Sequence, residues 1–322
     1  LGQWGGPGDF GKGVGITSSA SGSSNIIIKN NELTRTRSFE KAATIGFTGT
    51  NVMIENNYIH DAHGNVGINM GGVQVTARNN TIRKVGYVGI WFMNLLGGTI
   101  DHNILKDNLA THSNAISVYS SGSVVLTSDI VVSNNQVYDS DRALTFDYVN
   151  NLMVYNNIFD GAVNSWGGMT GYLRIFNNDM SYRLGLSTTG APGNSFSELT
   201  VKNNILDGVS GGNWTQDTGI SNAVHEYNLY TALNPYQCTP GQGIGCYWIF
   251  GLGEIDGHLA GKSVVYANES ANDFHLKSTS VAINNGTDIS AYLVGSGLNT
   301  NDIDGNPRPQ GSAWDIGAYE YY

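Results

Sequence analysis

Residues 26–33 read IIIKNNEL, and the pattern returns at 52–59 (VMIENNYI), 75–82 (VTARNNTI), 130–137 (IVVSNNQV), 152–159 (LMVYNNIF), 173–180 (LRIFNNDM) and 199–206 (LTVKNNIL). Each copy is a short apolar strand, a polar Asn-Asn corner and a second short strand. Degenerate corners at His102-Asn103 and Tyr227-Asn228 continue the series. Counted from the first residue of each pair, successive corners stand 26, 23, 23, 32, 22, 21, 26 and 24 residues apart. A repeat of that length in a β-rich chain is a solenoid, because one unit cannot bury its apolar side alone. Asn tolerates left-handed backbone and hydrogen-bonds its own main chain at bends. Stacked at about 4.8 Å, its amides can also bond to one another. The pattern therefore predicts an all-β chain, a single-stranded parallel β-helix, with the Asn pairs as corner-formers rather than ligands.

Length alone would allow two domains in 322 residues, but a β-solenoid runs this long as one. The expected organisation is coils over 1–230, with a short or missing N-terminal cap, then loop-rich coils and a cap over 231–322 in the same domain. The Gly-rich opening either caps the first coil or follows a removed segment, and the sequence leaves both open. No stretch of 18 apolar residues is present, so no membrane span is expected. No signal peptide is visible at Leu1, which reads as a mature or a cytosolic chain. Sparse Lys, abundant Gly, Asn, Ser and Thr, and N-x-S/T matches at Asn213, Asn268 and Asn285 fit a secreted or cell-surface protein. Cys238 and Cys246, within CTPGQGIGC, are expected to close a small disulfide loop. That segment supplies too few ligands for a metal.

Charge is uneven. Residues 1–110 hold 9 Lys/Arg against 7 Asp/Glu, and the remainder hold 7 against 19. Only the first third suits an anionic partner. A chain this acidic, with no basic stripe, is not expected to bind nucleic acid. Oligomeric state is not legible.

The segments 273–288 (DFHLKSTSVAINNGTD) and 302–321 (DIDGNPRPQGSAWDIGAYEY) resemble the C-terminal closure of secreted bacterial right-handed parallel β-helix proteins. That broad group includes polysaccharide lyases, glycoside hydrolases and epimerases. The resemblance covers roughly the last 50 residues closely and the Asn-Asn coils more loosely. It implies a right-handed solenoid with a loop-rich C-terminal cap and a carbohydrate-linked role. Asp304, Arg308 and Asp315 are expected to bind one another and the backbone in the last turn. No cofactor is implied beyond a Ca²⁺ near Asp302 and Asp304, which rests on a D-x-D-G string without the rest of a calcium loop.

Aligning the coils on Ile45, Ile68, Ile90, Ile116 and Leu144 places Phe47, Met70, Phe92, Val118 and Phe146 inward as well, by the period of two. One outward column is then Gly46, Asn69, Trp91, Ser117 and Thr145. The next is Thr48, Gly71, Met93, Tyr119 and Asp147. Trp91 beside Tyr119 makes an aromatic platform of the kind on which sugar rings stack, with Asn69, Asn114 and Asp147 answering hydroxyls. The preceding corner gathers Glu40 and Lys41, His63 and Asn65, Tyr87, His112 and Asn114, and Asp141 and Arg142. Trp166 offers a competing platform on a later coil.

Two enzyme classes fit. A lyase or epimerase on a uronate polymer needs a cation beside the carboxylate and a proton-transferring pair. Lys41, Arg142, His63, Tyr87 and His112 are the candidates. A glycoside hydrolase needs two facing carboxylates, for which Asp141 and Asp147 are available, with Asp61 and Glu40 on earlier coils. The diagnostic strings of neither class are present. The third class is a non-catalytic, adhesive β-helix that binds glycan through Trp91 and Tyr119. The expectation is polysaccharide held in a lateral groove, leaning to β-elimination.

Overall fold

The structure is a computed structural model describing residues 15–34, 43–62, 66–108, 114–121, 126–186, 195–210, 222–232 and 250–322. Strands Ile16–Lys29, Ala43–Glu55, Val66–Arg78 and Val88–Asp101 are 13 or 14 residues long and stack in parallel. Later coils divide the same path, as in Asn114–Tyr119 with Thr127–Ser133 and Arg142–Asp147 with Val149–Tyr155. The product is a right-handed parallel β-helix whose apolar core runs along the axis.

The register is the one the period of two predicts. Ile45 pairs with Ile68, Ile68 with Ile90, Ile90 with Ile116 and Ile116 with Leu144. All five are fully buried, as are Phe92, Val118 and Phe146, with Met70 almost so. Phe47 departs from expectation. It is only half-buried and packs against the core from one side. Ser117 and Thr145 depart the other way, being outward by register yet fully buried. Aromatic side chains of their own face fold back over them, as described below.

The two residues of each Asn pair have separate tasks. The first takes the left-handed conformation, with φ between 50° and 58° at Asn30, Asn56, Asn79, Asn134, Asn156, Asn177 and Asn203. His102 and Tyr227 do the same at 52° and 56°, so this position asks for a backbone shape and accepts other side chains. The second residue builds a ladder. The N–H and Nδ2 of Asn80 both donate to Asn103 Oδ1, at 3.0 and 2.9 Å, and Asn80 Nδ2 also donates to the Ile54 carbonyl. The same bonds link Asn31, Asn57, Asn80, Asn103, Asn135, Asn157, Asn178, Asn204 and Asn228. An apolar side chain here would orphan buried amides above and below.

The coil stack continues to Ile255–Asp256, which pairs with Leu229–Tyr230. Beyond it the chain folds back along the coils. First-position asparagines receive it: Asn156 Nδ2 donates to Asn301 O (2.6 Å), Asn177 Nδ2 to Gly317 O (3.1 Å) and Asn203 Nδ2 to Thr287 O (2.7 Å). Arg308 and Glu320 form a fully buried pair at 2.7 Å, and Arg308 also donates to Asn156 Oδ1 and the carbonyls of Asp315 and Gly317. The Asp315 carboxylate accepts the backbone N–H groups of Asn284 and Tyr321. Asp304 differs from expectation, accepting from His275 Nε2 at 2.9 Å instead. The Asp302 oxygens accept the N–H groups of Asp304, Asn306 and Glu320 and the Asn306 amide. Among the described residues no cluster of three His, Cys, Asp or Glu side chains could hold a metal. Cys238 and Cys246 lie outside the described residues.

Candidate functional site

Parallel stacking carries one outward column through Gly46, Asn69, Trp91, Ser117 and Thr145, and the pairing Met93, Tyr119 and Asp147 runs beside it. Large side chains on this face meet across coils. Tyr87 and Trp91 have ring centroids 6.0 Å apart, Trp91 and Tyr119 6.4 Å at nearly a right angle, and Tyr119 and Trp166 6.0 Å. The guanidinium of Arg142 lies 5.0 Å from the centre of the Trp166 ring. The result is a row, Tyr87–Trp91–Tyr119–Trp166, closed at one end by a cation. Trp166 therefore joins Trp91 rather than competing with it.

A polar network lies beneath the rings. Asn114 Nδ2 donates to Ser117 Oγ (3.1 Å), Ser117 Oγ lies 3.0 Å from Thr145 Oγ1, and the Tyr119 hydroxyl donates to Thr145 Oγ1 (2.9 Å). This bond draws the Tyr119 ring back over the strand, which explains why Ser117 and Thr145 are covered. Around the network stand buried polar atoms with no hydrogen-bond partner: Trp91 Nε1, Asn114 Oδ1, Arg142 Nη1 and Asp147 Oδ1. Buried donors and acceptors are nearly always paired, so four unpaired atoms together on one face set this part of the surface apart.

Asp147 is the carboxylate in the outward column of this face, register partner of Tyr119. Burial pushes its carboxyl up to about 6, against a smaller opposing effect of the Tyr148 backbone N–H. Burial likewise raises the Tyr119 phenol, with the Thr145 and Ser117 hydrogen bonds opposing and the Asp147 charge adding to it. Tyr148 braces the corner after Asp147. Its φ is 51°, rare for a bulky residue, its N–H donates to Gly167 O (3.1 Å) and its O accepts from Ser120 Oγ (2.6 Å). Its ring lies flat on Gly168, whose φ is also positive. No sequence signal marks Tyr148, because a left-handed tyrosine is visible only in the backbone.

Of the residues expected at the site, Trp91, Tyr119, Tyr87, Asn114, Arg142 and Asp147 share this face with Asn69, which lies one coil before Trp91 and lines a hollow. Asp141 stands apart. Its side chain is 67% exposed and 3.8 Å from Arg142 Nε. Six residue steps of nearly extended chain separate it from Asp147, roughly 20 Å at 3.3 Å per step. Lys41, His63 and His112, with Glu40 and Asn65, lie outside the described residues. Asp61 is engaged elsewhere, accepting from His60 at 2.8 Å on the short strand side of the coil.

Fold and face together define a right-handed parallel β-helix, a scaffold shared by carbohydrate-active enzymes and by other proteins. The family model for the right handed beta helix region matches residues 11–165, the coils that carry most of the aromatic row. Comparison with curated proteins gave no match. No helix among the described residues is long and apolar enough to cross a membrane.

Proposed function

We propose that this is a secreted or cell-surface bacterial protein that binds an extended polysaccharide along the Tyr87–Trp91–Tyr119–Trp166 row and acts on its uronate units by proton abstraction. The observation that carries the reading is the set of buried, unpartnered polar atoms beside the rings, with a cation at Arg142 and a proton-transfer group at Asp147. Sugar rings stack on the aromatics, and Arg142, five residue steps or roughly 17 Å along the strand from Asp147, meets the carboxylate of a neighbouring uronate unit. Asp147 in its ionised form accepts the C5 proton. The C4–O bond then breaks, a C4–C5 double bond forms, and the leaving oxygen takes a proton from the Tyr87 phenol. Return of a proton to the opposite face of C5, without C4–O cleavage, gives epimerisation instead.

The hydrolase alternative loses ground on spacing. Paired carboxylates of glycosidases stand about 5–9.5 Å apart, well short of the separation of Asp141 and Asp147. Non-catalytic glycan binding is the second reading, favoured by the aromatic row itself, which needs no acid–base partner. Incubation with polygalacturonate, alginate and neutral polysaccharides, followed by ultraviolet absorbance, reducing ends and epimer content, tests the proposal. Unsaturated ends or inverted units support it. Reducing ends without unsaturation would move the protein to the hydrolases, and binding without any product would leave the second reading.

A further inference from the structure

Two coils before the aromatic row the same face drops into a hollow of about 290 Å³, floored by Gly46, Phe47 and Gly71 and walled by Thr48, Asn69 and Met93. Its depth has a plain cause. The columns that carry Trp91 and Tyr119 further on carry Gly46 and Gly71 here, so bare backbone replaces rings. It is continuous with the platform, since Asn69 is the register partner of Trp91.

Asn94 and Ser18 at its margin are bonded within the fold, to Ser121 and Ser23, but two polar groups of the hollow are not explained by it. Every ladder asparagine spends its amide on its neighbours, and the first-position asparagines shape corners. Asn69 does neither. It stands mid-strand, outside the left-handed set, and its side chain makes no hydrogen bond among the described residues, nor does the Thr48 hydroxyl. Phe47 is tilted into view, although Met70, Phe92, Val118 and Phe146 in its column are buried. Among the described residues no ionisable side chain lines the space. A carboxylate placed there would lose water without gaining a counter-charge, which is costly. A neutral sugar ring matches every feature: hydroxyls for Asn69 and Thr48, and a C–H face for Phe47. The volume sits at the bottom of the range for small-molecule clefts, about 300–1,000 Å³, and suits one ring.

We infer that the hollow is a subsite for a neutral sugar, so that the ligand is a mixed polysaccharide with a neutral unit at this end and its acidic unit beside Arg142. The inference rests on the polysaccharide reading above and adds its composition. Saturation-transfer NMR and titration with methyl glycosides of neutral hexoses, and separately with glucuronate and galacturonate, test it on the intact chain. Neutral glycosides should bind the parent and weaken by about tenfold in Asn69→Leu, the scale of a lost hydrogen-bonding site. Uronate binding should instead fall in Arg142→Ala. Thr48→Val, on an exposed side chain, gives the same readout should Asn69→Leu melt early. Uronate binding with no Asn69- or Thr48-dependent neutral binding would overturn the subsite and leave the proposed function standing. Neutral binding through Asn69 without any uronate binding would support the subsite and remove the uronate chemistry. Absence of both would overturn both.

Discussion

Glu254 takes the place that a further asparagine would hold at the end of the ladder, and its Oε1 accepts the Asn228 amide at 2.9 Å. Each ladder amide gives one bond to the side-chain oxygen of the next coil toward the C-terminal end, so the last one needs an acceptor that asks for no donor in return. A carboxylate is that group. Glu254 Oε1 also accepts from His225 Nδ1 (3.0 Å) and the Tyr230 hydroxyl (2.7 Å), and Oε2 from the Gly251 N–H (2.8 Å). Its side chain is wholly buried, and four donors are the compensation that burial of a carboxylate requires.

The ladder predicts an asymmetry between neighbours. Asn103→Ala removes amide bonds to Asn135, Ala77 and Asp101 and leaves the Asn80 donors without their acceptor. At about 1–3 kcal/mol for each buried group left unpaired, the loss should exceed about 3 kcal/mol in urea unfolding. His102→Asn, one residue earlier, should change stability by less than about 1 kcal/mol, since φ there already suits Asn. Equal effects at the two positions would contradict the division of tasks.

Asp179 sets a pH dependence. It is 1% exposed, accepts the Ala318 N–H at 3.4 Å through Oδ1, and has no partner for Oδ2. Burial pushes its carboxyl up to about 8 from 3.8, with the Ala318 N–H and then the Arg308 and His275 charges opposing. The folded chain thus keeps a proton that the unfolded chain has released. The associated stability is whole below about pH 4 and is lost as pH rises to about 8, by at most about 1.4 kcal/mol per unit. Asp179→Asn should gain on the parent steadily across that window in urea unfolding. A parent–variant difference that stays constant from pH 4 to 8 would contradict the assignment.

Gly168→Ala tests the brace behind Trp166. A Cβ there would run into the Tyr148 ring, and φ at 168 is +57°. The loop that holds Trp166 must shift, so glycan binding should weaken and the melting temperature fall. Gly208→Ala, whose Cβ would meet nothing within 4 Å, should leave both close to the parent. Identical behaviour of the two variants would show that Tyr148 does not position the row.

Asp147 predicts the acid limb of the activity profile. The group works ionised, and its carboxyl sits at about 6, so turnover on a uronate polymer should rise through about pH 6. Asp147→Asn should lower turnover by at least about 100-fold, the usual scale for a lost general base, and abolish that limb. A variant that keeps the limb would pass the role to another group.

The fold was legible because its two signals are local. The Asn pairs mark corners, and the alternation from Ile68 to Met70 or Ile90 to Phe92 fixes which side faces inward, so the register followed without tertiary information. Trp91 and Tyr119 were legible for the same reason, as outward positions of that register. What alternation cannot show is how long side chains lean. Tyr119 reaching Thr145 buries a threonine and a serine that the period places outside, and Arg142 reaches Trp166 while keeping its Nε 3.8 Å from Asp141. The docking role of Asn156, Asn177 and Asn203 was hidden too, because their partners lie 84 to 145 residues away.

The central claim is that the aromatic row holds polysaccharide, and calorimetric titration of Trp91→Ala against a uronate polymer, beside thermal melting, tests it most directly. Loss of a stacking platform should weaken binding by about 1–3 kcal/mol. The melting temperature should shift by only a few degrees, because Trp91 lies over the core and not within it. Binding equal to the parent, accompanied by a large fall in melting temperature, would show that the ring serves the fold alone.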